Sequence, residues 1–104
     1  THARKLMNAG FKVHLIGGEI KAVTEALVGE EALEQLDKYN FTKGFFGTNG
    51  IDLKRGFTTP DQKEAAVKKK AMEQCQKRYI LSDASKFNVI STIKFADLKK
   101  AEIF

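Results

Sequence analysis

The chain is poor in the residues that staple a fold or ligate a metal. It has one cysteine, Cys75, and two histidines among 104 residues. A single cysteine excludes an internal disulfide and any zinc site built on a cysteine pair, and it suits a reducing cytoplasm. Two histidines and that cysteine form no metal-ligand constellation, so neither a metal nor another cofactor is expected. No apolar run approaches the roughly 18 residues a membrane span needs, so no membrane partner is expected. Thr1 to Gly10 starts with charge but carries no apolar stretch, so no secretory leader is read there. The glycines match neither a Walker loop nor a GxGxxG fingerprint, and no Ser-His-Asp or Cys-His set has convincing spacing.

What is present is ordinary for one globular domain: 42% hydrophobic residues, 30% charged residues and eight Phe. A chain of this length buries only about two thirds of its surface, which leaves room for a missing segment or a partner chain. The net charge is +5, from 18 basic and 13 acidic residues. That permits an anionic partner without naming one. Lys68-Lys69-Lys70 is the only basic triplet, and a solvated helix face explains it better than a nucleic-acid patch.

Periodicity divides the chain into alternating elements. Thr1 to Asn8 reads as the end of a helix, with Gly10 placed as a C-cap. Phe11 to Ile16 alternates like a strand and is broken by Gly17-Gly18. Val28 to Leu36 reads as a helix with Val28, Ala32, Leu33 and Leu36 on one side. Phe41 to Phe46 is a short strand, followed by a turn-rich loop from Gly47 to Asp52 and a second turn at Lys54-Arg55-Gly56. Thr59, Pro60 and Gln62 form a capping box that predicts a helix to about Gln76. Lys77 to Leu81, Ser91 to Phe95 and Ala101 to Phe104 read as strands, with a polar loop at Ser82 to Asn88 and a helical turn near Ala96 to Lys99. Helix and strand alternating at this spacing predict an α/β fold with a mostly parallel sheet. The opening helix without a preceding strand and the apolar close at Ile103-Phe104 predict a domain incomplete on its N-terminal side.

In open α/β sheets, ligands bind beyond the carboxyl ends of the strands. Three polar loops are predicted at such ends: Gly17-Gly18, Gly47 to Asp52, and Ser82 to Lys86. A shared crevice would collect Asn49, Asp52, Thr58, Thr59, Asp83, Ser85 and Lys86. Each piece also has a plain structural explanation. Asn49-Gly50 is a common turn pair, Thr58-Thr59-Pro60 caps a helix, and Asp83 to Lys86 suits an Asx turn. Glu64 and Lys68 lie four apart, as an exposed ion pair would, on a helix face that could also turn to the crevice. His14 reads as structural or half exposed, and Cys75 as buried and inert.

Phe46-Gly-Thr-Asn-Gly-Ile-Asp52, Gly56-Phe-Thr-Thr-Pro60, Glu64-Ala65, Val67-Lys68 and Asp83-Ala-Ser-Lys-Phe87 together resemble the carboxy-terminal effector-sensing domain of the DeoR family of bacterial transcriptional repressors. Gly17-Gly18 and Val28-Gly29 fit the same pattern. The likeness is to repressors of sugar phosphotransferase operons, the fructose type first and the lactose type second. It implies a three-layer, Rossmann-like fold similar to ribose-5-phosphate isomerase and the CoA transferases. It implies a phosphorylated sugar, fructose 1-phosphate or tagatose 6-phosphate, whose binding relieves repression. It also implies operator DNA bound through a winged helix-turn-helix domain outside this chain, and a homo-oligomer in the cytoplasm. Residues 1–104 would then be the C-terminal part of the sensor domain.

Carried over by position, the resemblance puts Asn49, Gly50, Asp52, Thr58 and Thr59 around the sugar, Glu64 and Lys68 facing it from the next helix, and Lys86 on a charged group of the ligand. The family commonly has Asp where this chain has Asn49. That exchange weakens any proton abstraction but still suits a hydroxyl contact. A regulatory, non-enzymatic module is therefore the leading reading. A sugar-phosphate isomerase on the same architecture is the alternative, and a direct nucleic-acid binder rests on charge alone.

Overall fold

The computed structural model of the protein describes residues 2–20 and 27–104. In chain order the elements are α1 (His2–Asn8), β1 (Glu19–Ile20), β2 (Leu27–Val28), α2 (Glu30–Asp37), β3 (Phe41–Phe46), β4 (Gly50–Asp52), β5 (Gly56–Thr59), α3 (Gln62–Glu73), β6 (Cys75–Ile80), β7 (Ile93–Ala96) and β8 (Glu102–Ile103). Short 3₁₀ turns at Ala84–Lys86 and Leu98–Lys100 flank β7. Among the described residues, no helix is long and apolar enough to cross a membrane.

A parallel pair cannot be closed by a hairpin and needs a crossover. Here the connection from β3 to β6 passes through α3, and β3, β6 and β8 form a parallel sheet in the order β3-β6-β8. The fold is α/β with helices packed on a parallel sheet, in keeping with a Rossmann-like arrangement. The pleat sorts the side chains of this sheet. Phe46 and Ile80 are register partners that turn into the core. Phe45 and Tyr79, also partners, stack on the other face at 5.3 Å, and Phe104 lies 5.3 Å beyond Tyr79.

A second sheet, antiparallel in the order β4-β5-β7, packs against the same core. Alternation of helix and strand did not foretell it. The segment expected as a turn-rich loop to Asp52 folds back as the β4–β5 hairpin, whose strands of three and four residues are too brief for a periodic signal. Gly56 makes the hairpin possible: its φ is +72°, and a Cβ there would lie 2.3 Å from the Ala96 carbonyl oxygen of β7. Ile51, Phe57 and Phe95 from this sheet meet Ala65 and Met72 of α3 and Ile80 of β6 in one buried cluster. At roughly 25 cal/mol per Å² of apolar surface buried, this shared core is the main force holding the two sheets to α3.

Other boundaries move for local reasons. Thr1 lies outside the described residues, but α1 and its left-handed Gly10 end stand as expected. Phe11 to Ile16 is not a strand: it has no ladder partner among the described residues, and Phe11 and Leu15 are exposed. Alternation marks a strand only where a neighbour supplies hydrogen bonds. Val28 belongs to β2, and α2 starts after Gly29, yet Val28, Ala32 and Leu36 are buried as one stripe. The cap of α3 is Asp61, whose carboxylate accepts from the Glu64 N–H at 2.8 Å; Thr59 is already committed to β5. The helix ends at Glu73, and Cys75 begins β6. Cys75 is buried, its thiol donates to the Ala71 carbonyl, and burial raises its pKa, as expected for an inert cysteine.

Candidate site at the strand ends

The register of the parallel sheet decides where its loops go. Phe46 and Ile80, the last residues of β3 and β6, are paired, and the Leu81 N–H donates to the Phe46 carbonyl at 2.8 Å. The chains leaving both strands therefore emerge side by side on one rim. The first carries Gly47 to Asn49 into β4, and the second carries Ser82 and Asp83 into the Ala84–Lys86 turn. The second is tied back to the first, because Phe87 bridges Ile51 and the Asn88 N–H donates to the Ile51 carbonyl at 2.7 Å. Two of the three loops predicted for a common rim share it. Gly17-Gly18 follows no strand, and the Gly17 N–H donates instead to Gln35 Oε1 of α2 at 2.8 Å.

Hydroxyls hold the first loop in place. The exposed Asn49 receives a hydrogen bond on Oδ1 from Thr59 Oγ1 at 3.0 Å, and its N–H donates to the Thr58 carbonyl. Thr58 and Thr59 are 1% and 0% exposed, so they brace the rim from beneath. Thr58 Oγ1 accepts from the Ser91 N–H at 2.9 Å, which fastens the approach to β7. Thr48, which motif reading passed over, is buried and donates to the carbonyls of Gly50 and Thr58. Its only signal was a hydroxyl between Gly47 and Asn49. Gly50 is buried opposite Thr58, and a Cβ on it would stand 2.3 Å from the Val89 carbonyl oxygen and 2.7 Å from Thr58 Oγ1. Its missing side chain lets the chain segment before β7 close over the hairpin.

Lys68 brings charge to this rim from α3. Its ammonium donates to the Gly47 carbonyl at 3.0 Å and sits 5.2 Å from the centre of the Phe95 ring. Burial lowers its pKa, while the Glu64 carboxylate one turn earlier favours the charged form. Lys68 is thus a half-buried cation held by a carbonyl, an aromatic face and a nearby carboxylate, rather than part of a solvated face. The triplet around it is dispersed, since Lys70 pairs with Asp37 at 2.5 Å on another side of the helix.

The remaining predicted residues are less closely joined. Asp52 Oδ2 accepts from the N–H groups of Lys54 and Arg55 at 3.0 and 2.9 Å. Those two bonds, Arg55's first, pull its pKa below 3.8. Asp83 binds the Ser85 hydroxyl and N–H, which lowers its pKa likewise and shapes the turn that presents Lys86. Among the described residues, no hydrogen bond or ion pair links Asp52 or Lys86 to the Asn49–Thr59–Lys68 group. Lys86 lies one residue from the bridge to Ile51, and Asp52 one residue beyond Ile51 on β4.

A profile for the DeoR C-terminal sensor domain matches residues 1–104. The chain is 42% identical over 102 residues to the HTH-type transcriptional regulator FruR of Bacillus subtilis, covering 98% of this chain and 41% of that protein. It is 37% identical over 93 residues to the HTH-type transcriptional regulator GlpR of Haloferax volcanii, covering 89% and 36%. It is 34% identical over 90 residues to the lactose phosphotransferase system repressor of Streptococcus mutans, covering 86% and 36%. The chain thus spans about two fifths of the length of the curated relatives it matches. A strand-end rim on an α/β core, and a sensor-domain match along the whole chain, agree: the chain belongs to the DeoR family, within its C-terminal sensor domain.

Proposed function

We propose that this chain is the C-terminal part of the sensor domain of a cytoplasmic repressor of a sugar-utilisation operon, and that a phosphorylated sugar bound at the strand-end rim relieves DNA binding. The observation that carries this reading is the pairing of Phe46 with Ile80, which delivers the Asn49 and Lys86 loops to one edge. Asn49 would read sugar hydroxyls, as an amide both donates and accepts. Lys86, with Lys68 released from the Gly47 carbonyl, would meet the phosphate as point charges. Asp52, Gly50, Thr58, Thr59 and Glu64 would hold or complete that edge. Fructose 1-phosphate and tagatose 6-phosphate are the candidate effectors, in keeping with the fructose- and lactose-type likeness. Operator DNA would be bound by a winged helix-turn-helix outside this chain, in a homo-oligomer. The ligand acts by binding one of two conformations better than the other.

The isomerase alternative needs a positioned base near neutral pH. Asp52 is a poor one, because its carboxylate is engaged by its own turn and its pKa is pushed down. Isothermal titration of the intact protein with fructose 1-phosphate, tagatose 6-phosphate and inorganic phosphate tests the proposal. One sugar phosphate should bind well above inorganic phosphate, and Asn49→Ala should weaken it about fivefold, the value of one hydrogen bond of about 1 kcal/mol. Equal or absent binding of all three would count against the rim as a sensor.

A further inference from the structure

A second cleft lies where the last turns of α3 approach Arg78 of β6 and the chain from Lys94 of β7 to Lys100. It encloses about 370 Å³, within the range of small-ligand sites. Its apolar floor is Met72, Phe95 and Ala96. Its walls carry Lys69, Arg78, Lys94 and Lys100 with Glu73 and Asp97.

The charges do not cancel. Lys94 pairs with Asp97, leaving three cations against the single carboxylate of Glu73. Arg78 is half-buried, and its hydrogen bonds run to carbonyls: Nε donates to Met72 at 2.5 Å and Nη1 reaches Lys100 at 3.5 Å. Carbonyls fix the guanidinium plane without neutralising it, and among the described residues no carboxylate lies within ion-pair distance of Arg78. A net charge near +2 with a forked donor suits a phosphate dianion. The apolar floor asks for a carbon body attached to it.

We propose that this cleft binds a small phosphate monoester with an apolar body, at a site separate from the strand-end rim. The phosphate takes Arg78, Lys69 and Lys100, and the body rests on Met72 and Phe95. The inference does not rest on the effector reading, since none of the residues proposed to hold the sugar phosphate lines this cleft; the two sites adjoin at Phe95, whose ring also lies beside Lys68.

The test is the Met72 methyl resonance of the intact protein, labelled with ¹³C-methionine and assigned through Met72→Leu. Phenyl phosphate serves as the probe, with inorganic phosphate and phenol as its two halves. The expected result is a saturable Met72 shift with phenyl phosphate, at least tenfold tighter than with either half. The double variant Lys69→Gln/Lys100→Gln changes exposed side chains, keeps the thermal midpoint and weakens binding at least tenfold. Asn49→Ala leaves it unchanged. No Met72 shift would overturn the proposal. So would binding that survives in the double variant, or binding lost in Asn49→Ala, which would assign the ligand to the rim.

Discussion

Thr59 shows how one hydroxyl shapes the rim. Its side chain is fully buried and its Oγ1 donates to Asn49 Oδ1. Thr59→Val keeps the volume nearly constant and removes that donor, so urea denaturation should show a loss of about 1 kcal/mol. Gly50→Ala should cost more, about 2 kcal/mol, because its methyl would meet a backbone carbonyl that cannot swing aside. Asp52 acts through charge. Its pKa in the folded protein is below 3.8, so its contribution is complete above about pH 4 and is lost as pH falls through the folded value. Asp52→Asn should be less stable at neutral pH and show a shallower fall in thermal midpoint between about pH 4 and pH 2. Asp83 and Asp97 shift in the same direction, so the acid slope is reduced and not abolished.

At the scale of elements, α3 is the member that links the rim, the core and the second cleft. Its first turn depends on Asp61, which accepts from the Glu64 N–H. Asp61→Ala should cost about 1 kcal/mol, whereas Gln62→Ala, at an exposed position with no capping duty, should stay within about 0.5 kcal/mol. Thermal denaturation of the two variants separates this arrangement from the Thr59–Gln62 capping box that the sequence suggests. The sequence was legible where local and long-range signals agreed. Phe41–Phe46 was readable to its ends because turn residues bound it on both sides and its inward Phe46 packs against the core that α3 shares. Phe11 to Ile16 misled because alternation cannot reveal whether a neighbouring strand exists. The β4–β5 hairpin was hidden because Asn49-Gly50 and Gly56 announce turns, while only the approach of Val89 and Ala96 shows why strands lie between them. At the site, the loops after β3 and β6 were legible from the strand-end rule. Thr48 and the Lys68 bond to Gly47 were not, since both depend on tertiary placement.

Across the whole molecule, the +5 charge is distributed rather than gathered. Lys68 turns to the rim, Lys69 to the second cleft and Lys70 to Asp37, which leaves no continuous basic stripe along α3. That distribution favours recognition of small anions over direct capture of a phosphate backbone, whose affinity would scale with the number of phosphates contacted. Sensing of a sugar phosphate at the strand-end rim, with the signal passed to DNA binding, is read out by fluorescence anisotropy of operator DNA bound to the intact protein. On titration with fructose 1-phosphate or tagatose 6-phosphate, one of them should release the DNA, free fructose should not, and Asn49→Ala or Lys86→Ala should move the release to higher concentration. DNA that stays bound at every concentration of both sugar phosphates, or that leaves equally well with the unphosphorylated sugar, would rule out sugar-phosphate sensing at the rim.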